Sequence, residues 1–228
     1  MTCAKVRPEL AYSYDPKGHF MQTVVYLHGF ASSPLSRKAS FFAGKLRDAG
    51  CDVEVPHLET EGFLNLTVSG QLKVIEKAAG NSDVRLIGSS MGGYLAALYA
   101  SLHPQSDRLL LLAPAFGFAQ RWSRRLGEAA MEEWKREGSI EMMHYATGKN
   151  ERVGFGLIED GLAYPAEPPF CQPALIYHGT ADDVVPIAFS REFVAAHPNA
   201  VLKEVNSGHE MTDVMEEIWE GSHKFLLA

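Results

Sequence analysis

The sequence predicts an α/β fold: a mostly parallel, doubly wound sheet with helices on both faces and a small lid-like insertion. Three observations predict it. Short strand-like runs alternate with helical stretches along most of the chain, the pattern of parallel strands joined by crossover helices. The runs VVYL and LLLLA are apolar on both faces, as strands must be when helices cover both sides of their sheet. Glycine or proline closes most of the segments, and both residues punctuate regular structure.

The elements follow in order. Residues 11–14, the turn DPKG and residues 20–26 read as strand, turn, strand. TVVYL at 23–27 is a β-branched run that opens the sheet. Residues 36–49 have helical spacing and end at Gly50, a residue suited to a helix C-terminus. Residues 52–55 form a short strand closed by Pro56. Residues 66–79 form a helix ending at Gly80, and 84–88 a short apolar strand. Residues 92–102 are helical and stop before Pro104. Residues 108–113 make the next strand, ended by Pro114; 174–178 and 201–205 are the last two. Residues 210–227 form a final amphipathic helix.

One stretch breaks this rhythm. Residues 115–172 hold no buried strand; 122–136 look helical and amphipathic, and 148–169 are rich in glycine and proline. We read residues 1–228 as one domain, with 115–172 as a lid or cap set into it. A chain of 228 residues, 46% hydrophobic and 21% charged, suits a single well-filled core.

Bulk properties exclude several classes. Mean hydropathy is −0.10, and no apolar run approaches the roughly 20 residues of a membrane-spanning helix. Residues 1–14 carry Lys5, Arg7 and Glu9 and lack the apolar core of a signal peptide. A cytoplasmic location is therefore expected, with no membrane partner. The net charge of −7 argues against nucleic acid, whose binders present a basic face. Cys3, Cys51 and Cys171 are odd in number and far apart, so they are expected to be buried thiols rather than a disulfide framework or a zinc site.

The segment carrying chemistry is Gly88-Ser89-Ser90-Met91-Gly92, a G-x-S-x-G between a buried strand and a helix. A sharp strand-to-helix turn there lifts the central serine above the sheet edge. The glycines let neighbouring backbone approach, and their register selects Ser90 over Ser89. A serine hydroxyl needs a base to take its proton, and a carboxylate to hold that base in one tautomer. The acid and histidine follow the serine along the chain in folds of this kind. Asp182 lies in the loop after the 174–178 strand, with Asp183 beside it as the alternative; His209 lies in the loop after the last strand. His28 and His178 each precede a glycine at a strand end and are read as bracing the loops around the site; His57 is read as a loop residue. The other histidines are read as surface or lid residues. HEMTD lacks the second histidine of a zinc-binding H-E-x-x-H. Two backbone N–H groups should receive an oxyanion: Met91, just after the nucleophile, and Phe30, in the loop after the first strand.

The runs YLHGFASSPLSRKA, LIGSSMGGYLAALYA, HGTADDVVP and GHEM together resemble the α/β-hydrolases. More narrowly, HGF-x-SSP-x-S-x-K with GSSMGG resembles the small YqiA-like (UPF0227-type) esterases. The resemblance spans residues 24–209. It implies the α/β-hydrolase fold and carboxylic-ester hydrolysis. It also implies Ser90, Asp182 and His209 as the triad, and Phe30 and Met91 as oxyanion donors. No metal or organic cofactor is expected, and the expected partner is a small-molecule ester or acyl substrate. Thioester hydrolysis, or a non-catalytic binding role on the same fold, is the alternative. Monomer and homodimer both stay open.

Residues 115–172 look longer than a minimal member of that group needs. Phe116, Trp122 and Met142 within them either line an apolar acyl pocket or pack the insertion onto the sheet. Charges of alternating sign there read as a solvated face, with Arg124 or Arg125 as the residue that could greet an anionic substrate.

Overall fold

The computed structural model describes residues 13–14, 20–80 and 83–228. Strands β1 (Ser13–Tyr14) and β2 (Phe20–Met21) pair antiparallel, as the hairpin reading expects; its turn at 15–18 lies outside the described residues, as do Cys3 and His19. Then come β3 (Thr23–Leu27), α1 (Arg37–Asp48), β4 (Asp52–Glu54), α2 (Val68–Ala79), β5 (Arg85–Ser89), α3 (Met91–Leu102) and β6 (Leu109–Leu112). A second group follows: α4 (Phe118–Leu126), α5 (Glu128–Glu137), β7 (Ser139–His144), β8 (Lys149–Gly154) and α6 (Gly156–Leu162). The chain closes with β9 (Ala174–Gly179), α7 (Ala188–Ala196), β10 (Ala200–Val205) and α8 (Met215–Leu227). Six strands form one sheet in the order β10-β9-β6-β5-β3-β4, every neighbouring pair parallel. Among the described residues no helix is long and apolar enough to cross a membrane.

The unbroken apolar runs have a direct explanation. Successive side chains leave a strand on opposite faces, so a sheet covered twice needs apolar residues at every position. Val25, Leu27, Leu86, Leu109, Leu111 and Ile176 enter one core with α2, α3 and Phe193 of α7. Val24, Tyr26, Ile87, Leu110, Leu112 and Tyr177 enter the other with α1 and α8.

Local chemistry sets the helix ends. Ser36 caps α1 by accepting from Ala39 N–H, and Gly50 past its end has φ +83°. Thr67 caps α2 by accepting from Gly70 N–H, so that helix starts at Val68 rather than at residue 66; Phe63–Asn65 form a separate 3-10 turn before it. The final helix starts at Met215 rather than at 210, because Met211 has φ +47° and residues 211–214 form a turn closed by Val214 N–H to Met211 O.

The middle segment departs furthest from expectation. The helix expected at 122–136 is two helices, broken at Gly127, whose φ 81° and ψ 158° no helix contains. Strands β7 and β8, joined as an antiparallel hairpin, stand in the stretch where no buried strand was expected. They are only half-buried, so they lack an apolar run. Helix α7 was also unforeseen. Of the cysteines, Cys51 is buried but Cys171 is exposed, which corrects the expectation of buried thiols.

Candidate active site

Ser90 stands between β5 and α3 with φ 55° and ψ −116°. A non-glycine residue rarely adopts positive φ, and the surrounding backbone holds it there. Ser90 N–H donates to Leu112 O at 2.8 Å, and Ser90 O accepts from Gly93, Tyr94 and Ala115 N–H. Two glycines make the turn possible. A Cβ on Gly88 would collide with Gly92 O, and one on Gly92 would collide with Leu27 O.

The structure brings Ser90, His209 and Asp182 into one hydrogen-bonded row. His209 Nε2 lies 3.0 Å from Ser90 Oγ, and His209 Nδ1 lies 2.7 Å from Asp182 Oδ2. With Nδ1–H donating to the carboxylate, Nε2 is free to accept from the serine hydroxyl. Ser90 is partly accessible, while the Asp182 side chain is fully buried and that of His209 is 11% exposed.

Asp182 is held by four donors. Its Oδ1 accepts from Val184 and Val185 N–H at 2.9 and 2.8 Å. Its Oδ2 faces both His209 and, at 3.1 Å, His178 Nε2. Burial opposes ionisation of this carboxyl, yet the hydrogen bonds from His178, His209 and Val185 outweigh it and hold Asp182 well below the usual carboxylate range. Asp183 points to solvent and takes no part in the row. His178 braces the loop: Nε2–H is shared between Asp182 and Val185 O, and Nδ1 meets Ser190 Oγ at 2.8 Å. Gly179 lets the acid and histidine loops touch, since a Cβ there would strike Ser207 O.

The loop after β3 passes over the serine. A Cβ on Gly29 would sit 3.5 Å from Ser90 Cβ. Among the described residues neither Phe30 N–H nor Met91 N–H has an acceptor; Met91 is the first residue of α3, where amides lack a helical partner. His28 braces this loop. Its Nδ1 lies 2.9 Å from Gly29 O, and its Nε2 accepts from Leu58 N–H at 3.3 Å. These bonds assign the neutral tautomer with hydrogen on Nδ1, and burial pushes the imidazole down to about 4. Gly29 O belongs to the same peptide as Phe30 N–H, so anchoring one aims the other.

Helix α4 crosses above. Trp122 meets Phe30 edge-on at 6.0 Å between ring centroids, and Trp134 of α5 at 5.4 Å. Met142 is half-buried against the same core. Phe116 is buried and stacks on Phe193 at 4.1 Å, so the contact it makes is a core contact. Four residues beside the site are not read as part of it from the sequence: Lys38 and Glu59 have no role there, His144 is read as a surface or lid residue and Arg121 as part of a solvated face, whereas His144 is buried and Arg121 half-buried. Buried Lys38 lies 3.5 Å from Glu210, next to His209; it is the lysine that closes the HGF-x-SSP-x-S-x-K run. Glu59 pairs with His144 at 2.8 Å, both side chains 6% exposed; nothing in their sequence spacing signals that pair. The fourth is Arg121, half-buried on α4.

The profile of an uncharacterised protein family (UPF0227) matches residues 23–225. Among solved structures, alpha/beta hydrolase domain-containing protein 10 from mouse superposes with a TM-score of 0.76 at 18% identity, covering 90% of this chain and 89% of that one. Est1E from Butyrivibrio proteoclasticus gives 0.73 at 20% identity, covering 91% and 87%. A structure reported with LipS and LipT, two metagenome-derived lipolytic enzymes, gives 0.71 at 22% identity, covering 94% and 95%. The fold is that of the α/β-hydrolases.

Proposed function

This chain belongs to the uncharacterised protein family UPF0227, and on that premise we propose that it is a serine hydrolase that cleaves carboxylic esters through an acyl-enzyme. One observation carries the proposal: Ser90, His209 and Asp182 stand in a single row with contacts of 3.0 and 2.7 Å. The lipolytic description of LipS and LipT, on the same fold, supports ester chemistry.

In this reading His209 Nε2 takes the hydroxyl proton as Ser90 Oγ attacks the ester carbonyl. Asp182 keeps the imidazole in the required tautomer and stabilises the imidazolium that forms. The oxyanion is received by Phe30 and Met91 N–H. Each such donor is worth about 3 kcal/mol of transition-state stabilisation in comparable sites. His209 then protonates the departing alcohol, and its next proton comes from the water that hydrolyses the acyl-enzyme. Residues 115–172 act as the cap of this site, with α4 entered directly from the serine turn through Ala115.

The test is hydrolysis of short p-nitrophenyl esters. Ser90→Ala should lower kcat by a factor on the order of 10⁴ or more, and Asp182→Asn by about 10³–10⁴. Full activity in Ser90→Ala would refute the scheme.

A further inference from the structure

We infer that Arg121, supported by Arg125, holds a carboxylate on the substrate, so that the esters this site takes are anionic ones. The inference rests on the hydrolase reading above and names its substrate class.

Ala115 N–H donates to Ser90 O at 2.9 Å, so the chain entering α4 leaves directly from the serine turn. Consecutive side chains on α4 then reach opposite loops. Trp122 packs on Phe30, beyond β3. The Arg121 guanidinium lies 4.9 Å over the ring of Phe189, in the first turn of α7, just past the Asp182 loop that follows β9. In the order β9-β6-β5-β3, these loops flank the end of β5 that carries Ser90. Arg121 therefore borders the serine on the acid-loop side.

The cation is held in place yet has no anion. Among the described residues no carboxylate comes within ion-pair distance of Arg121 or Arg125, and Arg121 Nε is buried without an acceptor. By contrast Arg47, Arg85, Arg108, Arg152 and Arg191 all donate to oxygens of this chain. Asp182 is the carboxylate whose field reaches Arg121, but its oxygens are already taken by Val184, Val185, His178 and His209. Arg125 stands one turn further along, 5.9 Å over Trp122. Like charges at i and i+4 weaken a helix, so this pair does nothing for α4 alone. A guanidinium pinned on an aromatic ring, with a buried N–H unspent, is pre-organised for a planar, two-pronged anion. The chain as a whole carries −7, so the positive spot is local to the site. Arg124 and Arg125, the two residues the sequence offers for an anion, are both exposed; Arg125 is the one that lies over Trp122, so the anion-facing role falls to Arg121 with Arg125.

The test reads binding and needs no turnover. Ser90→Ala protein is titrated calorimetrically with two pairs of stable anilides: glutaranilic acid against butyranilide, and 4-acetamidobenzoate against acetanilide. The pairs place the carboxylate on the acyl side or on the leaving side. At least one carboxylate member should bind about tenfold tighter than its neutral twin. Arg121→Met on this background should bring that ratio to within about twofold of one, Arg121→Lys should keep part of it, and added salt should erode it. No preference in either pair, or a preference that survives Arg121→Met, would overturn the inference. If Arg121→Met does not fold, a preference insensitive to both Arg121→Lys and salt overturns it equally. Failure of the hydrolase reading shows elsewhere, as absence of Ser90-dependent ester cleavage by the wild-type chain.

Discussion

At Ser90 the backbone occupies a conformation that costs a non-glycine residue of order 1–3 kcal/mol, and four backbone hydrogen bonds at its N–H and O hold it there. The residues around it contribute by aiming atoms. His28 fixes the Gly29–Phe30 peptide, and this has a consequence for pH. Its imidazole titrates near 4 in the fold, against about 6.5 in an unfolded chain. The unfolded state therefore takes up a proton first as pH falls, and stability drops between about pH 6.5 and pH 4. The predicted contribution is of order 3 kcal/mol. Urea midpoints for wild type and His28→Asn across that range should converge toward low pH, the wild type falling more steeply. Parallel curves would remove His28 from the account. Asp182 has the opposite sign: its folded value is depressed, so its stabilisation is intact above the ordinary carboxylate range and is lost only as pH falls below it. Much at this scale was legible. Glycine register selects Ser90, and strand ends place Asp182 and His209. The sequence favours Asp182 but leaves Asp183 as the alternative, because the choice turns on which side chain folds back onto Val184 and Val185 N–H. Arg121 is half-buried rather than on the solvated face read for it, because the phase of α4 depends on where it starts and breaks.

Between the sheet and residues 115–172, single elements decide how firmly that segment is held. Asp160 of α6 accepts from Ser69 N–H and Oγ, both at 2.6 Å, at the start of α2, and Tyr164 joins the same hydroxyl at 2.8 Å. Tyr94 of α3 donates to Pro165 O at 3.1 Å. The carboxylate also satisfies an otherwise open amide at a helix N-terminus. Asp160→Ala should cost about 1–2 kcal/mol and speed hydrogen exchange in α6 and the first turn of α2. Unchanged exchange there would mean that apolar packing alone docks the segment. Elements were legible where the chain carries strong signals: capping serine or threonine, β-branched runs, glycine past a helix end. They were not legible where those signals are missing. Helix α7 follows Pro186 with no side-chain cap at Ile187. The β7–β8 hairpin mixes charged and apolar residues because one face is solvated and only Val153 and a few neighbours reach the core.

Over the whole molecule, the sheet separates two tasks. One edge, at the carboxyl ends of the strands, carries the loops with Phe30, Ser90, Asp182 and His209, where parallel sheets place their sites. The opposite edge is a clamp. Arg85 at the start of β5 pairs with Asp107 at 2.9 Å and donates to Leu226 O and Ala228 O at the end of α8; Arg108 donates to Phe225 O at 2.6 Å. The fold class was legible because it rests on patterning, and patterning survives where side chains change; the solved structures named above superpose well at 18–22% identity. Nothing in the local sequence announces Arg85's carbonyl partners at the end of α8, Leu226 O being 141 residues away. If this architecture activates one serine, that serine reacts with a fluorophosphonate probe on the folded protein, and mass spectrometry of the modified peptide locates the adduct. A single adduct on Ser90, abolished in His209→Ala, is expected. A folded protein that takes no adduct, or an adduct on Ser90 that forms equally fast without His209, would contradict it.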